Sequence, residues 1–239
     1  MKLIRVKDYD EMCQKAAELL IRTVKEKKAP KLGLATGATP QGIYQKLVTD
    51  HWKNGTSYRH VTTFNLDEYV GLGPSDRTSY HYYMHKNLFN HIDIPEQQTH
   101  IPNGLADNLE EECSRYERLI KESGGVDLQI LGIGVNGHIG FNEPGTPFDT
   151  PTHVVRLTES TRKANQSFFS SPDEVPEYAI TMGLSTIMKS KEIVLLISGK
   201  HKAPVLKKLL SGEVSTDLPA SILYNHPNVT IIADEAACS

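Results

Sequence analysis

Long apolar runs are the first thing this sequence lacks. The longest strongly apolar stretch, Ile193 to Ile197, has five residues, against the roughly 20 that a membrane-spanning helix needs. The N-terminal segment places Asp8, Asp10 and Glu11 where a secretory signal requires an unbroken apolar core. Cysteine is scarce as well. Cys13, Cys113 and Cys238 are odd in number and far apart, which excludes a disulfide framework or a zinc pattern and suits a reducing, cytoplasmic compartment. Charge of one sign is not in excess: 26 Lys and Arg face 29 Asp and Glu, for a formal charge of −3. Neither nucleic acid nor an anionic membrane is an expected partner on that balance. Internal repeats, low-complexity tracts and linker-like stretches are also missing. With 239 residues, 38% apolar and 23% charged, the chain is expected to fold around a core that needs no disulfide or structural metal.

What the sequence does contain is an alternation of two hydrophobic periods. Lys2–Val6 reads as a strand, and Asp8 with Glu11 has capping-box spacing ahead of a helix whose apolar face is Met12, Ala16, Leu19, Leu20 and Val24. Lys31–Ala35 reads as a second strand, with Thr39-Pro40 opening a helix and Pro40 at its favoured first position. Further strands are expected at 61–66, 127–132, 154–157, 192–198 and 229–233, and further helices at 79–89, 109–121, 160–169 and 202–210. This order predicts one α/β domain over residues 1–239, with a single doubly wound, mainly parallel sheet covered by helices on both faces in a Rossmann-like three-layer sandwich. In such folds ligands bind beyond the carboxyl ends of the strands, so those segments are the places to look for chemistry.

Four segments qualify. Thr36-Gly37-Ala38-Thr39-Pro40 combines a permissive glycine, two hydroxyls and a helix start whose free N–H groups suit a phosphate; an ordinary turn capped by Thr39 is the plainer reading. Asp67-Glu68 follows a buried strand, so one carboxylate should reach the rim as a general base; a solvated acidic loop or a helix cap is the alternative. Gly132 to Pro144 contains a formal G-x-G-x-x-G, yet Gly140, Pro144, Gly145 and Pro147 disfavour a helix of the length that a dinucleotide site requires. That loop instead displays Asn136, His138, Asn142 and Glu143 among small residues, an arrangement suited to proton transfer near neutral pH. Ser198 to Lys202 brings lysines to another helix start, either as a second anion site or as a solvated basic patch. His81 and His85 have a zinc-compatible spacing without further ligands, and are read as part of a mixed aromatic helix face.

Leu34 to Pro40, Asn65-Leu66-Asp67-Glu68-Tyr69, Gly132 to Pro144 and Lys200-His201-Lys202-Ala203 together resemble the glucosamine-6-phosphate deaminase family, in order and over nearly the whole chain. The Gly-His-Ile-Gly-Phe-Asn-Glu-Pro run carries most of this resemblance. The resemblance implies conversion of glucosamine 6-phosphate and water to fructose 6-phosphate and ammonia. It also implies Asp67, Asn136, His138 and Glu143 as catalytic residues. Thr36, Gly37, Ala38, Thr39 and Lys202 are the implied phosphate contacts, and no metal or redox cofactor is needed. Some members of the family carry Asp at the position of Asn136. Many place a phosphate-binding arginine where Ser167 stands, for which Arg162 is a candidate substitute. Residues 145–149 lack the Ser/Arg/Lys set of regulated members, so an unregulated monomer or small homo-oligomer is expected. Residues 144–170 are a candidate mobile lid. The rival readings are a 6-phosphogluconolactonase-like hydrolase and a non-catalytic sugar-phosphate sensor. A sensor would carry a DNA-binding segment ahead of the fold, whereas here the first strand begins at Lys2.

Overall fold

Asp8 launches the first helix as its spacing predicts: its carboxylate accepts the Glu11 N–H at 2.9 Å, and the Glu11 carboxylate in turn accepts the Lys7 N–H at 2.8 Å. In the computed structural model, which describes residues 1–239 apart from the side chains of Phe168 and Pro172, the elements run as follows. β1 (Lys2–Val6) leads to α1 (Tyr9–Glu26), β2 (Lys31–Leu34) to α2 (Ala38–Asn54), and β3 (Thr62–Asn65) directly to a short β4 (Asp67–Tyr69) and α3 (Tyr80–Asn87). Next come β5 (Thr99–His100), α4 (Leu109–Glu122), β6 (Leu128–Gly132), β7 (His153–Arg156), α5 (Glu159–Asn165), β8 (Tyr178–Thr181) and α6 (Leu184–Ile187). β9 (Glu192–Ile197), α7 (Ala203–Leu210) and β10 (Val229–Asp234) complete the chain.

Seven strands form an all-parallel sheet in the order β1-β10-β9-β6-β2-β3-β5, with helices around it, in an α/β Rossmann-like sandwich. The central strands β2, β6, β9 and β10 are buried almost throughout. Burial on both faces explains why β9 reads as the continuous apolar run Ile193–Ile197 rather than as an alternating one. From β2 the chain proceeds to β3 on one side, while from β6 it proceeds to β9 on the other. The boundary between β2 and β6 is therefore the topological switch point, where the connections diverge and leave a crevice at the strand ends.

A second sheet was not legible in the sequence. β4, β8 and β7 form a three-stranded antiparallel sheet, so the strand expected at 154–157 lies there rather than in the main sheet, and Asp67–Tyr69 is a strand instead of a loop. Leu66 joins the two sheets: its N–H donates to the Leu34 carbonyl at 3.0 Å, and its own carbonyl accepts the Met182 N–H at 2.7 Å. A small core of Tyr69, Phe141, Leu157 and Ala179 lies under the second sheet, apart from the main core. Helix starts also moved. Pro40 is the third residue of α2, not the first, and Gly37 rather than Thr39 occupies the capping position. The helix expected over 160–169 ends at Asn165 and continues as a single 3₁₀ turn.

Candidate active site

At the switch point the ends of β2 and β6 open into a cavity of about 250 Å³. Its lining includes Thr36, Gly37 and Thr39 after β2, Asp67 after β3, Asn136 and His138 after β6, and Lys202 after β9. Four segments far apart along the chain thus meet in one place. Ser160, Thr161, Ala164 and Asn165 of α5 and the ring of Tyr80 add walls that sequence reasoning did not single out. Ser160 to Asn165 fall within the expected lid segment, but their residue types carry no catalytic signal by themselves.

Strand β8 is what brings Asp67 and the His138 loop together. Thr181 lies directly opposite Asp67 in the antiparallel ladder. The same Thr181 hydroxyl accepts the Phe141 N–H at 3.1 Å, and the Asn142 amide donates to the carbonyls of Ile139 at 2.8 Å and Met182 at 2.9 Å. The loop between His138 and Glu143 is therefore pinned against the strand that Asp67 pairs with. A Cβ at Gly140 would stand 3.8 Å from an Asp67 carboxylate oxygen, so the two segments are in close approach.

The structure separates the acidic pair. Glu68 is buried and accepts the N–H groups of Tyr69, Tyr80 and His81, each at 2.9 Å, as a cap on the start of α3. This is the alternative reading of an acidic residue ahead of a helix, and it holds for Glu68. Asp67 is also buried, lines the cavity, and takes no hydrogen bond on its carboxylate among the described residues. Burial, with Glu68 next along the chain, pushes its carboxyl up to about 8. Desolvation disfavours the charged form, and a neighbouring carboxylate adds to the effect.

His138 is held by a relay. Asn136 Oδ1 accepts both the His138 backbone N–H at 3.2 Å and the imidazole Nδ1 at 2.7 Å, while its amide nitrogen donates to Glu143 Oε2 at 2.8 Å. The two acceptor demands on Oδ1 and the carboxylate's demand for a donor set the orientation of the amide. Nδ1 therefore carries the proton, and Nε2 is left as the imidazole's acceptor. Glu143 itself stands 3.8 Å from Nδ1 and is anchored by the hydroxyls of Thr158, at 3.1 Å, and Thr161. Burial lowers the imidazole's proton affinity, Glu143 raises it, and Lys202 lowers it again, with a net downward shift. Gly134 is required by the same geometry, because a Cβ there would lie 2.2 Å from the imidazole ring.

The anion-binding expectation divides in two. The first N–H groups of α2 have no side-chain cap, and Gly37 adopts φ +96°, a conformation that disfavours any residue with a Cβ. The start of the segment after β9 is different: the Asp234 carboxylate already accepts the Gly199 N–H and the Ser198 hydroxyl. Lys200 faces a separate groove, and only Lys202 of that basic run lines the cavity, with its ammonium donating to the Ile133 carbonyl at 2.7 Å. Of the two expected anion sites, the start of α2 lines the cavity, while the run after β9 contributes to it only Lys202. Arg162 donates to the Val175 carbonyl and, like Ser167, does not line the cavity. The rings of His81 and His85 stack at 4.4 Å, and no group of three metal-ligating side chains occurs among the described residues.

Fold and crevice define an α/β protein with a cavity at its topological switch point that combines a buried carboxyl, an imidazole, a lysine and an uncapped helix start. The chain belongs to the glucosamine-6-phosphate isomerase/6-phosphogluconolactonase family, whose model it matches over residues 7–232. It is 61% identical to a glucosamine-6-phosphate deaminase of Geobacillus sp. (strain WCH70), over all of this chain and 95% of that one. It is 52% identical to glucosamine-6-phosphate deaminase 1 of Bacillus subtilis (strain 168), over 100% and 99% of the two chains. A solved structure described as a monomeric glucosamine-6-phosphate deaminase superposes with a TM-score of 0.99 at 52% identity, covering 100% of this chain and 99% of its own. The 6-phosphogluconolactonase of Thermotoga maritima shares the fold at a TM-score of 0.75 and 21% identity, covering 98% of this chain and 99% of its own.

Two measurements follow from this electrostatic arrangement. A carboxyl whose folded pKa is raised favours folding below its unfolded pKa and loses that contribution as pH rises through the folded value. Asp67→Asn should therefore gain thermal stability relative to the parent as pH goes from 4 to 8, by at least about 4 °C in Tm at pH 8; a constant difference across that range would refute the assignment. Glu143→Gln removes the group that supports the imidazolium, so the His138 titration followed by NMR should move further down in pH.

Proposed function

We propose that this protein converts glucosamine 6-phosphate and water to fructose 6-phosphate and ammonia. The observation that carries the reading is the convergence of Asp67 and His138 on one cavity that is also lined by the start of α2 and by Lys202. Full-length likeness to proteins named glucosamine-6-phosphate deaminase supports it. Solved lactonases at 21% identity and below share only the scaffold.

In this reading the phosphate is held by the Ala38 and Thr39 N–H groups, the Thr36 and Thr39 hydroxyls and Lys202. The His138 Nε2, an acceptor because Asn136 holds the Nδ1 proton, takes the proton of the C1 hydroxyl and delivers one to the ring oxygen. The bond between C1 and the ring oxygen breaks and the aldehyde opens. Asp67, ionised, then removes the hydrogen from C2 and leaves an enolamine. Return of a proton to C1 makes an iminium at C2. Water adds there, ammonia leaves, and the ketone of fructose 6-phosphate remains.

A carboxyl near 8 is matched to this task, since it is basic enough to attack a carbon acid and still ionisable near neutral pH. Asn136, neutral where a charged residue would otherwise sit, transmits the position of Glu143 by hydrogen bonding. Residues 159–165 supply one wall of the cavity, as a closing segment over a bound sugar would. A cytoplasmic monomer or small homo-oligomer is the working form that accompanies this reading, and no helix among the described residues is long and apolar enough to cross a membrane.

Purified protein with glucosamine 6-phosphate should release ammonia and fructose 6-phosphate in equal amounts; hydrolysis of a 6-phosphogluconolactone without ammonia release would favour the lactonase reading instead. Asp67→Asn should lower kcat by roughly 10²–10⁴, about 3–5 kcal/mol of barrier, and abolish exchange of the C2 hydrogen with solvent. Persistent exchange would assign the base elsewhere. Lys202→Ala should act mainly on KM, and an unchanged KM would remove this lysine from the phosphate site.

A further inference from the structure

The backbone that enters α2 has its carbonyls tied down by three tyrosines from three different helices. Tyr44 of α2 donates to the Ala35 carbonyl. Tyr83 of α3 donates to the Gly37 carbonyl at 2.6 Å. Tyr9 of α1 reaches the Ala38 and Thr39 carbonyls at 3.0 and 3.1 Å, and its oxygen accepts the Gly42 N–H at 3.0 Å. The Tyr9 hydroxyl is thus inserted into the first turn of α2. Gly42 makes room for it, since a Cβ there would stand 2.6 Å from the Cys13 sulfur and 3.0 Å from the Tyr9 oxygen.

A peptide unit is planar and trans, so its C=O and the following N–H point in opposite directions. Anchoring the Gly37 carbonyl therefore sets the direction of the Ala38 N–H, and anchoring the Ala38 carbonyl sets that of the Thr39 N–H. These are two of the N–H groups that the helix start presents without a side-chain cap. Gly37 sits at φ +96° with open space around its Cβ position, so no side-chain packing holds that residue. The hydroxyls supply that restraint from outside. Neither Tyr9 nor Tyr83 lines the cavity, and burial pushes the phenol of Tyr9 up to about 12 and that of Tyr83 up as well. Both remain donors across the neutral range.

We propose that Tyr83 and Tyr9 are positioning residues for phosphate-monoester recognition, acting through the Gly37 and Ala38 carbonyls to aim the Ala38 and Thr39 N–H groups at the ligand. The proposal rests on the phosphate reading of this helix start. A preset cradle spares the ligand the cost of ordering the turn, and so strengthens binding without touching the reacting carbons.

The test is Tyr83→Phe and Tyr9→Phe, each measured by calorimetric titration with inorganic phosphate and by steady-state kinetics with glucosamine 6-phosphate. One lost hydrogen bond predicts a roughly three- to tenfold weaker phosphate affinity for each variant. KM should rise by the same factor while kcat changes less than about twofold. Phosphate affinity and KM equal to the parent's in both variants would overturn the proposal, as would a fall in kcat with KM unmoved. The two tyrosines lie on different helices, so if one variant fails to fold the other decides. Calorimetry needs no turnover: weakened phosphate binding without ammonia release by the parent would leave the clamp standing and sink the deaminase reading. Ammonia release with undiminished phosphate binding in both variants would do the reverse.

Discussion

The pairing of β8 with β4 is the constraint on which the site depends. Through it, Thr181 stands opposite Asp67 while also accepting the Phe141 N–H, and Met182 receives the Asn142 amide one residue on. A carboxylate that ends one strand of the main sheet and a loop that ends another are thereby locked to a common third segment. Each of these hydrogen bonds is buried. Loss of one partner would leave an unsatisfied polar group away from water, a cost of about 1–3 kcal/mol, and this cost enforces the register.

Around that constraint the polar groups are sorted by what satisfies them. Glu68 takes three backbone N–H groups, Asp234 accepts the Ser198 hydroxyl and the Gly199 and Ala237 N–H groups, and Glu143 is held by two hydroxyls and an amide. Each carboxylate with a full set of donors is a structural or orienting element. Asp67, equally buried, has no such set, and its proton affinity rises accordingly. Reactivity is concentrated in the group left without partners, on a cavity shared with an imidazole whose proton position is imposed by its neighbours. The helix start at α2 is the complementary case on the donor side: N–H groups left free, with their carbonyls fixed from behind by tyrosines.

Much of this was legible in the residues. The unbroken apolar run Ile193–Ile197 in β9, with strands and helices alternating around it, implies burial on both faces and hence a parallel sheet between helices. Asp8 and Glu11 announce α1, and the glycines of the 132–140 loop announce a crowded polar site, which Gly134 bears out against the imidazole. Small strands escaped notice. β4, of three residues, is polar at two of them, and a strand that short has no period to detect. Equally hidden was the split between Asp67 and Glu68, since adjacent carboxylates in a strand point to opposite faces and only the packing reveals which face holds a helix start.

By itself, then, the sequence determined the longer strands and helices, their order, and the residue types available at their ends, because these follow from local periodicity and turn chemistry; β4, β5, β8 and α6 lay below that signal. The tertiary structure decided which of the available groups are neutralised by partners and which are left to face the cavity. Lys202 rather than Lys200, Asp67 rather than Glu68, and the start of α2 rather than the segment after β9 are choices made by contacts between residues tens of positions apart. Hydrogen-bond satisfaction in a buried environment depends on neighbours in space, and linear order carries no record of them.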